Sequence, residues 1–293
     1  MYGFVVTTHY DNYDIIKKCL DLLFESIPEE SYVVLYLNEP KGKVVNIEQE
    51  YTKESNRFTV ITIEDQIANG GLTGTWNQGI DYLLSLKDTK DFDCKVITIL
   101  GHDTFVNRSI IHLLEAGKKA QENDELKYFG PLFKSFPGKN GELWQDEKVY
   151  KNHELKFLVG SIMTFPINSL IKNKLTYTNN ENYFNAKWYP FGGNETDWHK
   201  RFILKKGIPE IITECIINHE CKQTWKVNDK NVNRELLTEE DKINAIKEKF
   251  DELKFNWINY LKKNPDLKNK GIKNEVQALN HYMSIGKNQG RNF

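Results

Sequence analysis

Net charge is almost absent from this chain, because its 40 basic and 41 acidic side chains leave a formal net charge of −1. A chain with so little net charge has no global field that would attract nucleic acid or an anionic membrane. We therefore expect no nucleic acid among its partners, and any phosphate group must be bound by a local site. At 293 residues the chain is long enough for one large domain with a small appendage, or for two modest domains.

Cysteines and long apolar runs are also scarce. The four cysteines include no C-x-x-C pair, which argues against a disulfide framework and against a thiolate zinc site. No apolar run approaches the ~20 residues that cross a bilayer. The apolar run near Met1 is too short and too uncharged at its front for a secretory signal. These absences predict a cytoplasmic protein with reduced thiols and no transmembrane segment.

Short apolar runs alternate with amphipathic segments over the first hundred residues. Helical periodicity marks residues 12–26 and 72–86. Continuous apolar strands separated by helices are typical of a mostly parallel sheet with helices on both faces. The predicted fold class is therefore α/β. The runs that predict strands cover residues 2–7, 32–37, 58–63 and 96–100.

The middle and the tail of the chain are less regular. Apolar runs predict two more strands over residues 128–136 and 157–165. Towards the end the sequence becomes highly charged and helical in pattern. We place a domain boundary there, with a main domain over residues 1–228 and a small C-terminal helical module over 229–293. The module has apolar side chains. It could dock on the main domain or form a contact between two copies of the chain.

Polar residues collect where the predicted strands end. In a parallel α/β sheet these ends lie along one edge, so the residues are candidates for a single site. They include a glycine-rich stretch, residues 68–79, which lacks both the G-x-G-x-x-G fingerprint and the P-loop pattern. Its glycines could equally serve a tight turn into a helix. The candidate binding residues at the strand ends are Thr7, His9, Asn38, Asn69, Gly70, Asn77, His102 and Asp103.

Two carboxylates, Glu195 and Asp197, follow a glycine pair in the segment FGGNETDWHKR. In an extended segment both would point to one side, and in a helix that starts here both would lie in the first turn. Either geometry allows two carboxylates of unequal environment, as a general base beside a binding acid requires. An ordinary helix start with Asn194 as N-cap explains the same residues without any chemistry.

Asp103 and His219 are candidate metal ligands. A carboxylate at the end of a buried strand, such as Asp103, needs a cation, a hydrogen-bond donor or solvent. Together the two side chains offer oxygen and nitrogen ligands that could hold Mn²⁺ or Mg²⁺, with phosphate oxygens completing the shell. Hydrogen bonds within the protein are the alternative explanation of both residues.

Taken in order, these segments resemble the inverting glycosyltransferases of the GT-A fold, in the family-2-like group that includes rhamnosyltransferase-like proteins. FVVTTHYDNYDIIKKCLDLL looks like the first strand, turn and helix of that family. NGGLTGTWNQGI is similar to the stretch beside the donor nucleotide, and VGSIMTF looks like the acceptor-side strand. ILGHDTFV falls where the family carries its Asp-x-Asp metal motif, and FGGNETDWHKR falls on the Glu-Asp-x-Asp…Arg motif.

The resemblance implies a GT-A (nucleotide-diphospho-sugar transferase) fold and transfer of a sugar, with inversion, from a nucleotide-sugar donor to a glycan or other hydroxyl acceptor. It implies that Glu195 is the general base and Asp197 a second catalytic candidate, while Arg201 orients the loop or helps to clamp the diphosphate. Asp103 and His219 would hold the metal, and the other strand-end residues would line the nucleoside pocket. Burial beside aromatic residues would raise the pKa of the base. The aromatic neighbours expected there are Trp188, Tyr189 and Trp198.

The chain departs from the family pattern at two motifs. His102 stands where another acid is common, so the reaction need not depend strictly on Mn²⁺ or Mg²⁺. Asn194 replaces the first acid of the later motif, and Glu195 stands where the family has an aspartate of shorter reach. The reduced metal motif keeps a second hypothesis open, a sugar- or nucleotide-binding relative that has lost catalysis. A nucleotidyltransferase or Rossmann enzyme is a third, and the missing glycine fingerprint weighs against the latter.

Overall fold

The computed structural model describes most of the chain, with gaps. The described residues are 1–8, 13–66, 68–133, 158, 160–175, 182–186, 194–219, 256–269, 271–273, 277–278, 281–282, 286 and 289–291. Within them, one eight-stranded mixed sheet is covered by helices on both faces. No helix in this described part of the chain is long and apolar enough to cross a membrane.

Four parallel strands form the first half of the sheet. They are β1 (Tyr2–Thr7), β2 (Ser31–Asn38), β3 (Phe58–Ile63) and β4 (Val96–Gly101). β1 lies between β2 and β4, and β2 also pairs with β3. The register aligns Thr7 with Tyr36 on one side and with Gly101 on the other, so the carboxyl ends of these strands meet at one edge.

The second half of the sheet is largely antiparallel, so the expectation of a mostly parallel sheet is wrong. Its strands are β5 (Thr104–Phe105), β6 (Lys127–Phe133), β7 (Ile162–Pro166) and β8 (Ile208–His219). β7 runs antiparallel to β4 and β6, while β8 is parallel to β6 and antiparallel to β5. The full order is β3-β2-β1-β4-β7-β6-β8-β5. A strand buried on both faces is a continuous apolar run in either direction, so the pattern does not reveal its direction.

Helices enclose an apolar core on each face of the sheet. They are α1 (Tyr13–Ser26), α2 (Gly71–Lys90), α3 (Ile110–Glu122), α4 (Ile167–Lys172) and α5 (Asn194–Leu204). α1, α3 and a 3₁₀ segment (Gly42–Glu54) cover one face, and α2, α4 and α5 cover the other. Phe4 and Val6 belong to the first core and Val5 to the second, as the alternation of strand side chains requires.

The predicted elements of the first hundred residues are confirmed. Each of the four strands ends within one residue of its predicted bounds, and α1 and α2 occupy the two predicted helical segments. α3 and β8 were not among the predicted elements. The predicted strands over 128–136 and 157–165 correspond to β6 and β7, with shifted ends.

The C-terminal residues contain α6 (Trp257–Lys263) and α7 (Asp266–Asn269). Tyr260, Leu261, Leu267 and Ala278 form a small apolar cluster of their own. Residues 220–255 lie outside the described residues, so the boundary at residue 228 and the module over 229–293 stay predictions.

Candidate active site

The turn between β4 and β5 brings a carboxylate and a histidine together. Asp103 lies in this turn, and β5 pairs with the end of β8 so that Thr104 is opposite His219. Asp103 Oδ1 and His219 Nε2 are 3.4 Å apart, and their side chains are 16% and 12% exposed. A two-residue strand therefore joins two candidates that lie far apart in the sequence and leaves both reachable from solvent.

The electrostatics of this turn favour a charged carboxylate. Burial works against the charge on Asp103, but the hydrogen bond and charge of His219 outweigh it and hold the pKa of Asp103 below its usual value. Burial also lowers the pKa of the His102 imidazole, although Asp103 acts in the opposite direction. Within the described part of the chain, His102 Nε2 has no hydrogen-bond partner. The turn thus combines an anionic carboxylate with a ring that can still form a hydrogen bond.

Asn38 is the centre of a buried hydrogen-bond network at the end of β2. Its Nδ2 donates to the carbonyl oxygen of Thr8 at 2.7 Å, and Thr75 Oγ1 donates to its Oδ1 at 3.1 Å. Asn69 Nδ2 donates to Thr75 Oγ1 at 3.5 Å. The network joins the ends of β1 and β2 to the start of α2, next to the buried Thr7. Contacts of Thr7, Asn38 and Asn69 with a nucleoside stay predictions.

Two glycines shape the start of α2. Gly70 has φ +79°, in the left-handed region that favours glycine. A Cβ on Gly74 would lie far inside the van der Waals radius of the Asn69 carbonyl oxygen. A tight turn into the helix is therefore sufficient to account for both glycines, and Gly70 as a binding residue stays a prediction.

Asn77 holds the segment 182–186 against α2. Its Nδ2 donates to the carbonyl oxygen of Phe184 at 2.8 Å, and its Oδ1 accepts from the backbone N–H groups of Tyr183 and Phe184 at 3.1 and 2.9 Å. Both Nδ2 and Oδ1 of Asn77 are therefore hydrogen-bonded within the protein. A further contact of Asn77 with the donor stays a prediction.

Glu195 lies in the first turn of α5, so of the two geometries considered for this segment the chain adopts the helical one. Its side chain packs against Gly160, because a Cβ on Gly160 would lie 3.2 Å from Glu195 Cγ and 3.3 Å from Cδ. Burial raises the pKa of Glu195, and the hydrogen bond with its own backbone only partly opposes this. A raised carboxyl pKa is what a general base that works near neutral pH requires.

Asp197 and Arg201 form a buried ion pair on the same helix. The two residues are 2% and 4% exposed, and Arg201 Nε donates to Asp197 Oδ2 at 3.1 Å. Arg201 Nη1 donates to the carbonyl oxygen of Asn173, and Nη2 donates to that of Tyr183 at 2.9 Å. The pair therefore ties α5 to two other segments. The catalytic role of Asp197 and the diphosphate contact of Arg201 stay predictions. Sequence reasoning missed Asn173 and Tyr183, because a carbonyl acceptor leaves no trace in the residue type.

Gly160 and Ser161 connect the two halves of the candidate site, and sequence reasoning did not single them out. The Ser161 carbonyl oxygen accepts from the Gly101 N–H at 3.0 Å and from Thr104 Oγ1 at 3.1 Å. This pair of residues therefore lies between the Asp103 turn and Glu195. The run VGSIMTF indicated a strand here, but nothing in it marked these two positions. His9, Trp188 and Tyr189 lie outside the described residues.

Asp103 and His219 offer the donor atoms for a divalent cation. A carboxylate oxygen and an imidazole nitrogen suit Mn²⁺, and an anionic Asp103 favours any cation. Among the described residues, no group of three or more His, Cys, Asp and Glu side chains gathers as a metal site. The pair therefore fits a cation whose other ligands are phosphate oxygens or water.

The strand order, the helices on both faces and the polar edge define an α/β fold that solved glycosyltransferases of the GT-A class share. One such structure is GalNAc-T7 with UDP, GalNAc and Mn²⁺, at 13% identity and a TM-score of 0.51, covering 74% of this chain and 42% of that one. A second is the mannosyltransferase PcManGT from Pyrobaculum calidifontis with GDP-Man and Mn²⁺, at 12% identity and a TM-score of 0.54, covering 76% of this chain and 57% of that one. A third is S. aureus TarS 1–349 with UDP, at 13% identity and a TM-score of 0.53, covering 99% of this chain and 74% of that one.

At these identities the likeness is one of fold. The chain spans less than two thirds of the length of the GalNAc-T7 and PcManGT chains. No protein-family model matches the sequence, and neither does any curated protein. The expected GT-A fold is therefore confirmed, while the rhamnosyltransferase-like group stays a prediction.

Proposed function

We propose that the protein is a glycosyltransferase that moves a sugar, with inversion, from a nucleoside-diphosphate donor to a hydroxyl group of a glycan or similar acceptor. The observation that carries the proposal is the arrangement around Gly160 and Ser161. The anionic Asp103 with His219 lies on one side of these residues, and the half-buried Glu195 carboxyl group lies on the other. Solved structures of similar fold that hold UDP, GDP-Man and Mn²⁺ support this class of donor.

In the proposed reaction Glu195 is the general base. The acceptor hydroxyl oxygen forms a bond to the anomeric carbon while Glu195 removes its proton. The bond between that carbon and the donor phosphate oxygen breaks, and its electron pair leaves with the nucleoside diphosphate. The raised pKa of Glu195 supports this role, since proton transfer is most effective when the pKa of the base lies near the working pH.

Asp103 and His219 would meet the diphosphate end of the donor. A divalent cation bound there supplies positive charge that stabilises the leaving phosphate oxygens. Asp103 would hold the cation through a carboxylate oxygen and His219 through Nε2. Asp197 and Arg201 support the reaction from the interior by orienting α5, which carries the base.

The substitution Glu195→Gln tests the proposal, because it removes the base and keeps the size of the side chain. We expect turnover to fall by about 10²–10⁴-fold while donor binding is retained. Release of nucleoside diphosphate from a panel of UDP- and GDP-sugars measures turnover, and the thermal shift with each donor, with and without Mn²⁺, measures binding. Glu122→Gln, on the exposed end of α3, is the matched control and should leave both unchanged.

Two outcomes would contradict the proposal. Unchanged turnover in Glu195→Gln would exclude this residue as the base. Stabilisation of the unsubstituted protein by a nucleotide sugar, without turnover against any acceptor, would support the alternative of a binding relative that has lost catalysis.

A further inference from the structure

Tyr128 and His199 form a buried hydrogen-bonded pair beside the proposed base. Tyr128 lies on β6 and is 1% exposed, and His199 lies on α5 and is 3% exposed. The Tyr128 hydroxyl and His199 Nδ1 are 2.7 Å apart. The reaction proposed above gives this pair no role, so its position needs another explanation.

His199 lies near Glu195 because α5 carries both residues. His199 follows Glu195 by four residues on the helix, so both side chains lie on one helical face. Burial, with a smaller contribution from Lys200, lowers the pKa of His199 to about 4, so the ring is neutral near pH 7. The Tyr128 hydroxyl oxygen accepts a hydrogen bond from the Leu158 backbone N–H at 3.3 Å. The same hydroxyl group bonds to Nδ1 of the neutral His199 ring, so it joins Leu158 to α5.

Aromatic packing fixes the Tyr128 ring. It stacks on Phe165, with centroids 5.6 Å apart and planes at 11°, and it meets Trp198 edge-on, with centroids 4.9 Å apart and planes at 76°. Offset and edge-to-face pairs of this kind are the favoured aromatic arrangements. The position of the hydroxyl group is therefore set by the core and does not depend on solvent.

Leu158 connects Tyr128 to the segment that packs on Glu195. Its N–H is held by Tyr128, and its side chain packs on Gly130 of β6, where an added Cβ would lie 3.2 Å from Leu158 Cδ1. Gly160 follows two residues later and packs against the Glu195 side chain.

We propose that Tyr128 and His199 are positioning residues for Glu195: their hydrogen bond joins α5 to Leu158 and thereby keeps Gly160 packed over the carboxyl group. The inference rests on the proposed function, because it concerns the proposed base. Neither side chain touches the reacting atoms.

Loss of this bond would increase the access of water to the half-buried carboxyl group. Since burial is what raises the pKa of Glu195, better hydration would lower that pKa. The other charged side chains near it on α5 are Asp197, Lys200 and Arg201, and Asp197 and Arg201 bond to each other in the interior. Tyr128 and His199 are both neutral near pH 7, so their removal acts through water access and not through a lost charge.

The substitution Tyr128→Phe tests the inference, because it keeps the ring and removes the hydroxyl. We expect the pKa of Glu195 to fall by about half a unit or more. The measurement is a pH titration by NMR of the full chain labelled with ¹³C at glutamate carboxyl groups, with the Glu195 signal assigned by its loss in Glu195→Gln. His199→Gln should lower the pKa in the same way, and His199→Asn, whose side-chain amide can replace Nδ1 in the hydrogen bond to the Tyr128 hydroxyl, should restore part of the shift.

Tyr32→Phe is the matched control. Tyr32 is also buried, and its hydroxyl bonds to Thr59 and Lys90 at 2.7 Å each, away from Glu195. It should cost similar stability and leave the Glu195 titration unchanged. An unchanged Glu195 pKa in both Tyr128→Phe and His199→Gln would overturn the inference.

The titration separates the failure of this inference from the failure of the proposed function. Full turnover in Glu195→Gln would show that the proposed base is wrong, whatever the titration gives. Loss of turnover in Glu195→Gln, together with an unshifted Glu195 titration in the Tyr128 and His199 variants, would support Glu195 as the base and contradict the positioning role of Tyr128 and His199.

Discussion

At the scale of single residues, the guanidinium group of Arg201 lies in the interior and donates hydrogen bonds to three parts of the chain. Asp197, the Asn173 carbonyl and the Tyr183 carbonyl all accept from it. Removing one member of a buried ion pair is far more destabilising than removing an exposed charge, since the partner is left in a medium of low polarity. Arg201 should therefore act on folding more than on substrate.

The substitution Arg201→Met should lower the free energy of unfolding by about 3–5 kcal/mol. Urea unfolding followed by circular dichroism measures the change. Lys205→Met is the matched control, because this exposed cation also donates to a backbone carbonyl, that of Lys172, and its loss should cost no more than about 0.5 kcal/mol. Equal losses in the two variants would contradict a structural role and return Arg201 to the list of residues that contact the donor.

The residue scale also separates what a sequence can reveal from what it cannot. Asp197 and Arg201 are four residues apart, so their pairing follows from helical geometry once the helix is known. Asp103 stands out because an acid at the end of an apolar strand needs a partner. Tyr128 and His199 are 71 positions apart and lie on different elements, so no local pattern announces their bond.

At the scale of elements, the start of α2 shows how backbone packing can reverse the usual preference for alanine over glycine inside a helix. Alanine is normally better than glycine inside a helix by about 1 kcal/mol. Gly74 is an exception, because the space where a Cβ would lie is occupied by the backbone carbonyl of Asn69. A backbone group cannot rotate away as a flexible side chain can.

The substitution Gly74→Ala should therefore destabilise the protein by about 3 kcal/mol, or prevent folding, despite the better helix propensity of alanine. Thermal and urea unfolding measure the loss. Asp88→Ala, on the exposed face of the same helix, is the control and should leave the stability unchanged or raise it slightly. If Gly74→Ala is as stable as the unsubstituted protein, the contact between residue 74 and Asn69 is not a constraint on the turn.

The elements differ in how far the sequence predicts their position and direction. The first four strands and α1 are continuous or periodic apolar segments, and their positions follow directly from that pattern. The antiparallel direction of β7 depends on how the chain returns to the sheet, over residues whose pattern has no period. The short β5 has only two residues, too few for any period, although its pairing with β8 builds the Asp103–His219 contact.

At the scale of the whole molecule, the described apolar cores are separate. The two cores that cover the sheet draw their buried members from residues 2–217, and the third lies within residues 260–278. A domain needs its own apolar core to fold alone. The predicted boundary at residue 228 therefore lies between cores and cuts through neither of the large ones.

A chain that ends at residue 228 should fold on its own. We expect cooperative unfolding at a midpoint temperature within a few degrees of the full chain, and the same thermal shift with UDP and Mn²⁺. A chain that ends at residue 200 is the control, because it interrupts α5 and lacks β8, and it should show no cooperative transition. Failure of the longer fragment to unfold cooperatively would place the boundary elsewhere.

The pairing of β5 with the end of β8 has a consequence for biosynthesis. Ribosomes deliver the N-terminal strands first, and such segments can begin to fold during synthesis. Asp103 emerges early, but its partner His219 emerges only after β8 is complete. A premature stop just before residue 219, or a proteolytic cut that releases the chain from residue 219 onwards, would spare most of the sheet and still leave Asp103 without this partner. Antibodies against the fold would detect this product, and under the proposed function an assay of metal-assisted donor binding would not.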